Sequence, residues 1–207
     1  MIVGLLLGLL LYALPAHAII VNSDTYTGSG SDDDPIAFAT ACTPDVVIIK
    51  RQTATNHAHI ATSTMTAGEA FQFTNTSATA SVLCVKSLTA TGFNRGTSSN
   101  CNQAASSHYY VALCPNGAND MEVGTYTGNN GDSRDIPMVA SWTPELVIII
   151  PEASAPRVWR GATSHSGDSA SHISAASADA ANHIQSFGAG TFQVGTAMNA
   201  SAVVYHW

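Results

Sequence analysis

The chain has 207 residues, only 10% of them charged, and a net charge of −7 at neutral pH; its isoelectric point lies near 5.4. Charge is thus far below the usual share of about a quarter, and the acidic balance argues against electrostatic binding to nucleic acid or anionic lipid. Ser, Thr, Ala, Asn and Gly replace the missing charge, a profile that suits a neutral, hydroxyl-rich β-protein better than a helical one.

Residues 1–18, MIVGLLLGLLLYALPAHA, are uncharged and rich in leucine. The apolar run has the length of a signal-peptide core, and Ala16-x-Ala18 is an acceptable cleavage site. It is shorter than the roughly 20 apolar residues of a membrane span. No Lys or Arg stands near Met1, and the competing reading is an uncleaved anchor running on through Ile19-Ile20-Val21. Export is expected, with the mature chain starting near Ile19.

From there the chain nearly repeats itself after about a hundred residues. Tyr26-Thr27-Gly28 answers Tyr126-Thr127-Gly128, Ile36 answers Ile136, and TPDVVII (43–49) answers TPELVII (143–149). The register then slips by one, so that Gly68-Glu69 matches Gly167-Asp168 and VKSLTATGFNRG (85–96) matches IQSFGAGTFQVG (184–195). Tyr110 is set against Tyr205. A period this long is too large for a solenoid. It predicts two tandem β-sandwich domains related by internal duplication, over 19–114 and 121–207, with a short turn-forming linker at 115–120.

Each repeat reads as about seven short strands, in jelly-roll-like or immunoglobulin-like order. The apolar stretches after Thr-Pro, 45–49 and 145–150, predict strands buried on both faces. Arg157-Val158-Trp159-Arg160 alternates as a half-buried strand does. Thr89 to Gly92 and Gly188-Ala189-Gly190 predict hairpin turns. Residues 169–183 lack an apolar stripe and are expected to be loop with a helical turn or two at most. Residues 200–207 form a closing strand.

Cys42, Cys84, Cys101 and Cys114 all fall in the first repeat. An even count behind an export signal predicts two disulfides, with three pairings open. No two cysteines have zinc-ligand spacing. Trp142 stands where Cys42 does and His183 where Cys84 does, so apolar filling is expected to replace the cross-links there.

In order, GTYTGNNGDSRDI, WTPELVIII, RVWR, SGDSA, ANHIQSFGAGTFQVG and VVYHW resemble the signature of a repeat domain of exported bacterial and phage structural proteins. The second repeat follows it almost end to end, with Trp142 in place of Phe and Glu145 in place of Asp. The first is diluted, with His59-Ile60-Ala61 in place of the Trp-Arg strand. The resemblance implies a β-rich module of surface or virion parts and no catalytic activity.

Arg134, Arg160 and Asp168, beside Trp159, are the candidate ligand-binding residues. The competing reading is that they pin their own loops and each other. Asp32-Asp33-Asp34 lacks the spacing of a calcium loop. His57 and His59 share a strand face without a third metal ligand, so no metal and no cofactor is expected. His165 and His172 flank Gly167-Asp168 as loop histidines. No G-x-S-x-G elbow supports a Ser-His-Asp triad. Trp159, Tyr109, Tyr126, Tyr205 and Trp207 are the aromatics available for stacking on sugars, with core packing as their ordinary use. Asn75-Thr76-Ser77 and Asn199-Ala200-Ser201 are sequons.

The expected function is that of a non-catalytic extracellular structural protein, a subunit or module of a self-assembling filament, sheet or virion part, partnered by copies of itself. The alternatives are a glycan-binding adhesion module and, further off, a secreted hydrolase. Ile19, Ile20 and Val21 at one end of the mature chain, and Tyr205 and Trp207 at the other, are apolar and β-forming. At least one end is expected to pair with a neighbouring subunit, unless each simply closes its own sheet.

Overall fold

A computed structural model describes residues 18–52, 55, 57–74, 83–117, 120–173 and 178–207. The leader up to His17, the sequon at 75–77 and linker residues 118–119 lie outside them. The fold is all-β. In the first half the strands are β1 (Ile20–Thr27), β2 (Asp34–Ala37), β3 (Val46–Arg51), β4 (His59–Thr62), β5 (Phe71–Gln72), β6 (Val85–Thr89), β7 (Gly92–Arg95) and β8 (Ser107–Cys114). One turn of helix, α1 (Ser99–Asn102), precedes β8. The second half has β9 (Thr125–Thr127), β10 (Arg134–Pro137), β11 (Leu146–Pro151), β12 (Val158–Gly161), β13 (Ser169–His172), β14 (Ala180–Ala181), β15 (Ile184–Gly188), β16 (Thr191–Val194) and β17 (Val204–His206).

The strands form antiparallel sheets ordered β1-β8-β3-β4-β5 and β2-β7-β6 in the first half, and β9-β17-β11-β12-β13-β14 and β10-β16-β15 in the second. Strand for strand, the two orders correspond, with β14 added at one edge. Both expected hairpins form, β6–β7 and β15–β16, each with a register shift after its first pair. Residues 169–183, expected as loop, instead carry β13 and β14. There Ser171 and His172 pair with β12, and Ala170 is small enough to be buried against the core. The matching of the closing strands also needs correction. Tyr205 lies opposite Tyr126 as His108 lies opposite Tyr26, so the counterpart of Tyr205 is His108, and Tyr110 corresponds to Trp207.

Alternation along β3 and β11 explains their unbroken apolar sequence. Val47 and Ile49 point into the first sandwich core, and Val147 and Ile149 into the second. The residues between them, Val46, Ile48, Ile148 and Ile150, meet in a third cluster where the backs of the two large sheets pack together. His206 crosses this seam, with Nδ1 3.1 Å from Thr64 Oγ1 and Nε2 2.7 Å from Glu152 Oε1.

The disulfides are Cys42–Cys114 and Cys84–Cys101, both inside the first half. In the second half the fully buried Met198 stands at the place of Cys101, its carbonyl accepting from Tyr126 as that of Cys101 accepts from Tyr26. The buried His183 stands at the place of Cys84, its carbonyl accepting the Gly195 N–H as that of Cys84 accepts the Gly96 N–H. No described helix is long and apolar enough to cross a membrane.

Candidate functional site

The Tyr-Thr-Gly motif opens a polar clasp that recurs in both halves. Tyr26 stacks on His108 at 4.9 Å and Tyr126 on Tyr205 at 4.8 Å, each pair nearly parallel. The Tyr26 hydroxyl donates to the Cys101 carbonyl, and the Tyr126 hydroxyl to the Met198 carbonyl at 2.6 Å. Burial pushes both phenols well above their ordinary pKa, so both stay protonated donors. Glycine is required two residues on, because a Cβ on Gly28 or Gly128 would lie 2.2 Å or 2.0 Å from the carbonyl oxygen of Gln103 or Ala200.

Asn102 and Asn199, both fully buried, hold the loop that follows. Asn102 accepts the Ser29 N–H at 2.9 Å and donates to the carbonyls of Ser31 and Gly96. Asn199 accepts the Asn129 N–H at 3.1 Å and donates to the Gly131 carbonyl at 2.7 Å. Asn102 was not singled out from the sequence, and Asn199 only as the head of a sequon, whereas its side chain is fully buried; they lie 73 and 70 residues beyond the loop residues Ser29 and Asn129 that they hold.

The candidate ligand residues serve this same internal purpose. Arg134 donates to the Thr127 carbonyl and to Asn199 Oδ1. Arg160 is buried and donates to the carbonyls of Gly167, Ser169 and Ile184. Asp168 accepts the Asn182 N–H at 3.2 Å and the Gln185 amide at 3.3 Å. Trp159 is half-buried, edge-on to His165 at 4.8 Å. Arg134 is therefore held with the Tyr126 clasp, while Trp159, Arg160 and Asp168 belong to the β12–β13 end.

His165 anchors a chain of hydrogen bonds missed in the sequence. Its Nδ1 accepts the Gly161 N–H at 3.2 Å, which leaves the ring proton on Nε2, 2.9 Å from Ser171 Oγ. The Ser171 hydroxyl in turn donates to Asp179 at 2.5 Å. These bonds run opposite to nucleophile activation, in which histidine takes the serine proton and the carboxylate holds the histidine.

The other candidates do not converge. Asp32, Asp33 and Asp34 are separately engaged by Lys86, Asn94 and Arg95. His59 is buried in the first core with neither ring nitrogen hydrogen-bonded, and burial pushes its pKa down to about 4; His57 is exposed. His172 faces His183, with rings 5.3 Å apart. Among the described residues no three His, Cys, Asp or Glu side chains gather as a metal site. Of the five aromatics considered for sugars, only Tyr109 is exposed.

The halves differ most beside β17. In the first half, residues 111–114 of β8 fill the space between β1 and β3, with Asn22 facing Ala112, Val46 facing Leu113 and Ile48 facing Val111. In the second half Trp207 exchanges both backbone hydrogen bonds with Gly124 at 3.0 Å. Past that pair, no described strand lies between residues 121–123 and the start of β11. The gap is a cleft of about 700 Å³ whose walls include Met121, Val123, Met138, Trp142, Leu146 and Ile148. Leu146 is 55% exposed where its counterpart Val46 is 9% exposed. Glu122 holds the cleft wall by accepting the N–H groups of Val139 and Ala140 at 2.7 and 2.8 Å.

Of the terminal residues considered for assembly, Ile20 and Val21 pair with Cys114 and Leu113 of β8, at an edge whose outer side faces no described strand. Ile19 lines the cleft. Tyr205 is buried between β9 and β11, and Trp207 packs edge-on against Phe192 at 5.2 Å. Comparison with family models, with curated proteins and with solved structures returns no match.

Proposed function

We propose that the chain is an exported, non-catalytic structural protein, made of two copies of one β-sandwich unit and acting as a subunit or module of an extracellular filament, sheet or virion part. The observation that carries this reading is the use made of the polar side chains. Arg134, Arg160, Asp168, Asn102 and Asn199 all spend their hydrogen bonds on the protein's own loops and neighbouring side chains rather than presenting them in a cleft. Such a pattern rigidifies a scaffold. The two disulfides suit an oxidising compartment. A surface poor in charge suits close packing between copies, since little charge must be desolvated. The resemblance to repeat domains of exported structural proteins points the same way.

Electron microscopy of the exported chain tests the proposal. Ordered polymers are expected. A protein that stays monomeric across concentration and salt, and instead binds on a glycan array, overturns it.

A further inference from the structure

We propose that Asn116-Gly117, in the linker between the halves, is a site of self-modification, where the Asn116 amide converts to aspartate and isoaspartate without an enzyme. The chain holds this dipeptide twice, at 116–117 and at 130–131. In the reaction the Gly117 nitrogen attacks Cγ of Asn116, and a new N–C bond forms as the Cγ–Nδ2 bond breaks. The proton of the Gly117 nitrogen leaves with Nδ2 as ammonia. Water then opens the cyclic imide at either carbonyl carbon. Aspartate results where the original peptide linkage is restored, and isoaspartate where Gly117 stays joined to Cγ. Glycine in second place makes the attack feasible, because no Cβ shields the nitrogen.

Folding separates the two dipeptides. Around Asn130-Gly131 the groups that the reaction must move are tied down. Asn130 Oδ1 accepts the Ser201 N–H at 2.7 Å, and the Asn130 N–H donates to the Asn199 carbonyl at 2.6 Å. The attacking group, the Gly131 N–H, donates to Asn129 Oδ1 at 2.9 Å, and the Gly131 carbonyl accepts from Asn199 Nδ2 at 2.7 Å. Asn199 is fully buried, so the core of the second half backs these bonds. Asn116 and Gly117, by contrast, are both exposed. Among the described residues, none hydrogen-bonds the Asn116 side-chain amide or the Gly117 N–H. The chain is instead held on either side of the dipeptide, by the buried Cys114 in its disulfide with Cys42 and by Glu122 on the N–H groups of Val139 and Ala140. The Asn116 amide can therefore swing onto the Gly117 nitrogen without breaking a bond. Either product adds a carboxylate, charged at neutral pH, close to that of Asp120, which already lies against Gly117. Isoaspartate also adds a methylene to the main chain of the linker.

The test incubates the full folded chain at mildly alkaline pH and follows both dipeptides by peptide mass spectrometry, with the chain in denaturant as reference. Expected is the mass gain of an amide turned to an acid at Asn116, divided between aspartate and isoaspartate forms. In the folded protein it should run about tenfold or more faster than at Asn130, whose hydrogen bonds must first open. In denaturant the two rates should be similar. Hydroxylamine, which cleaves at the cyclic imide, should cut the folded chain after Asn116 alone and the denatured chain after both asparagines. Gly117→Ala is the third arm. Its Cβ meets only the carboxylate end of Asp120, at 3.3 Å, a flexible group that can give way. The variant should slow the change at Asn116 and leave Asn130 as it was. Equal rates at the two sites in the folded protein overturn the assignment. An unchanged rate at Asn116 in Gly117→Ala overturns the imide route, since direct hydrolysis of the amide does not depend on the glycine.

Discussion

Arg95 and Arg134 bring a guanidinium to the face of matching tyrosines, Tyr26 and Tyr126, from opposite strands of the β2–β7 and β10–β16 pairs. Arg95 on β7 lies 4.3 Å above the Tyr26 ring, and Arg134 on β10 lies 5.6 Å above the Tyr126 ring. In the ladder Arg95 faces Asp34, whereas Arg134 stands at the position of Asp34 and faces Val194. The place of the charge is kept while the residue supplying it has changed strands. Such a contact contributes about 0.5–2 kcal/mol, and Arg95 also forms a partly buried ion pair with Asp34.

Replacing Arg95 alone by valine should therefore cost about 3 kcal/mol, since it leaves the Asp34 carboxylate without its cation. Adding D34R to R95V reproduces the arrangement of the second half and should recover most of that loss. Chemical denaturation of the single and double variants checks this. A double variant no more stable than R95V would show that the two arrangements are not equivalent.

Acid should weaken the first half through His59. Its pKa is pushed down to about 4 by burial, against an ordinary 6.5. The unfolded chain then takes up a proton near pH 6.5 that the folded chain refuses until about pH 4, so this contribution is fully present above pH 6.5 and is lost as pH falls toward 4. The loss is on the order of 3 kcal/mol. Its counterpart in the second half is Val158, which makes His59→Val the natural test. Unfolding free energies measured between pH 4 and 7 should fall less steeply for the variant, and parallel curves would contradict the assignment.

Gly128→Ala should be among the most damaging small substitutions in the second half. The added methyl would lie 2.0 Å from the Ala200 carbonyl oxygen, a backbone atom, at a cost of about 2 kcal/mol or more. Gly167→Ala is the contrast: its φ is +60° but nothing lies within 4 Å of the new carbon, so only about 1–2 kcal/mol of backbone strain is expected. Thermal unfolding of both variants should give that order.

Removing the Cys84–Cys101 cross-link, which spans 17 residues, should destabilise the first half by about 3 kcal/mol. The second half should be spared, because its Met198 and His183 stand at the same places without a bond. Hydrogen exchange of C84S/C101S should show faster opening at Val85 and Phe93 and unchanged protection at Ile184 and Phe192. Equal loss in both halves would contradict the separation of the cores.

Much of this architecture was legible because strand periodicity and turn residues are local signals. The runs after Thr-Pro announced β3 and β11 as buried on both faces, and the Gly-containing hairpins announced β6–β7 and β15–β16. The clasp was not legible, since Tyr126 meets Met198 and Asn129 meets Asn199 across about 70 residues, and no local pattern encodes such a meeting. Tyr205 was matched to Tyr110 because like residues attract an alignment, whereas the ladder register depends on position alone. The β13–β14 pair was missed because Ala and Ser carry neither β-propensity nor an apolar face, and docking on β12 decides the matter instead.

We propose that the two halves are one kind of unit; among the described residues, 111–114 of β8 lie beside β3 in the first half, and no described strand lies on the β17 side of residues 146–148 in the second. Residue-resolved hydrogen exchange tests it most directly, by comparing the amides of Leu146 and Ile148 with those of Val46 and Ile48. In the isolated protein, strong protection is expected at Val46 and Ile48 and much faster exchange at Leu146 and Ile148, while Ile150, paired with His206 and buried, stays protected. Equal protection at the two sets of amides would contradict it.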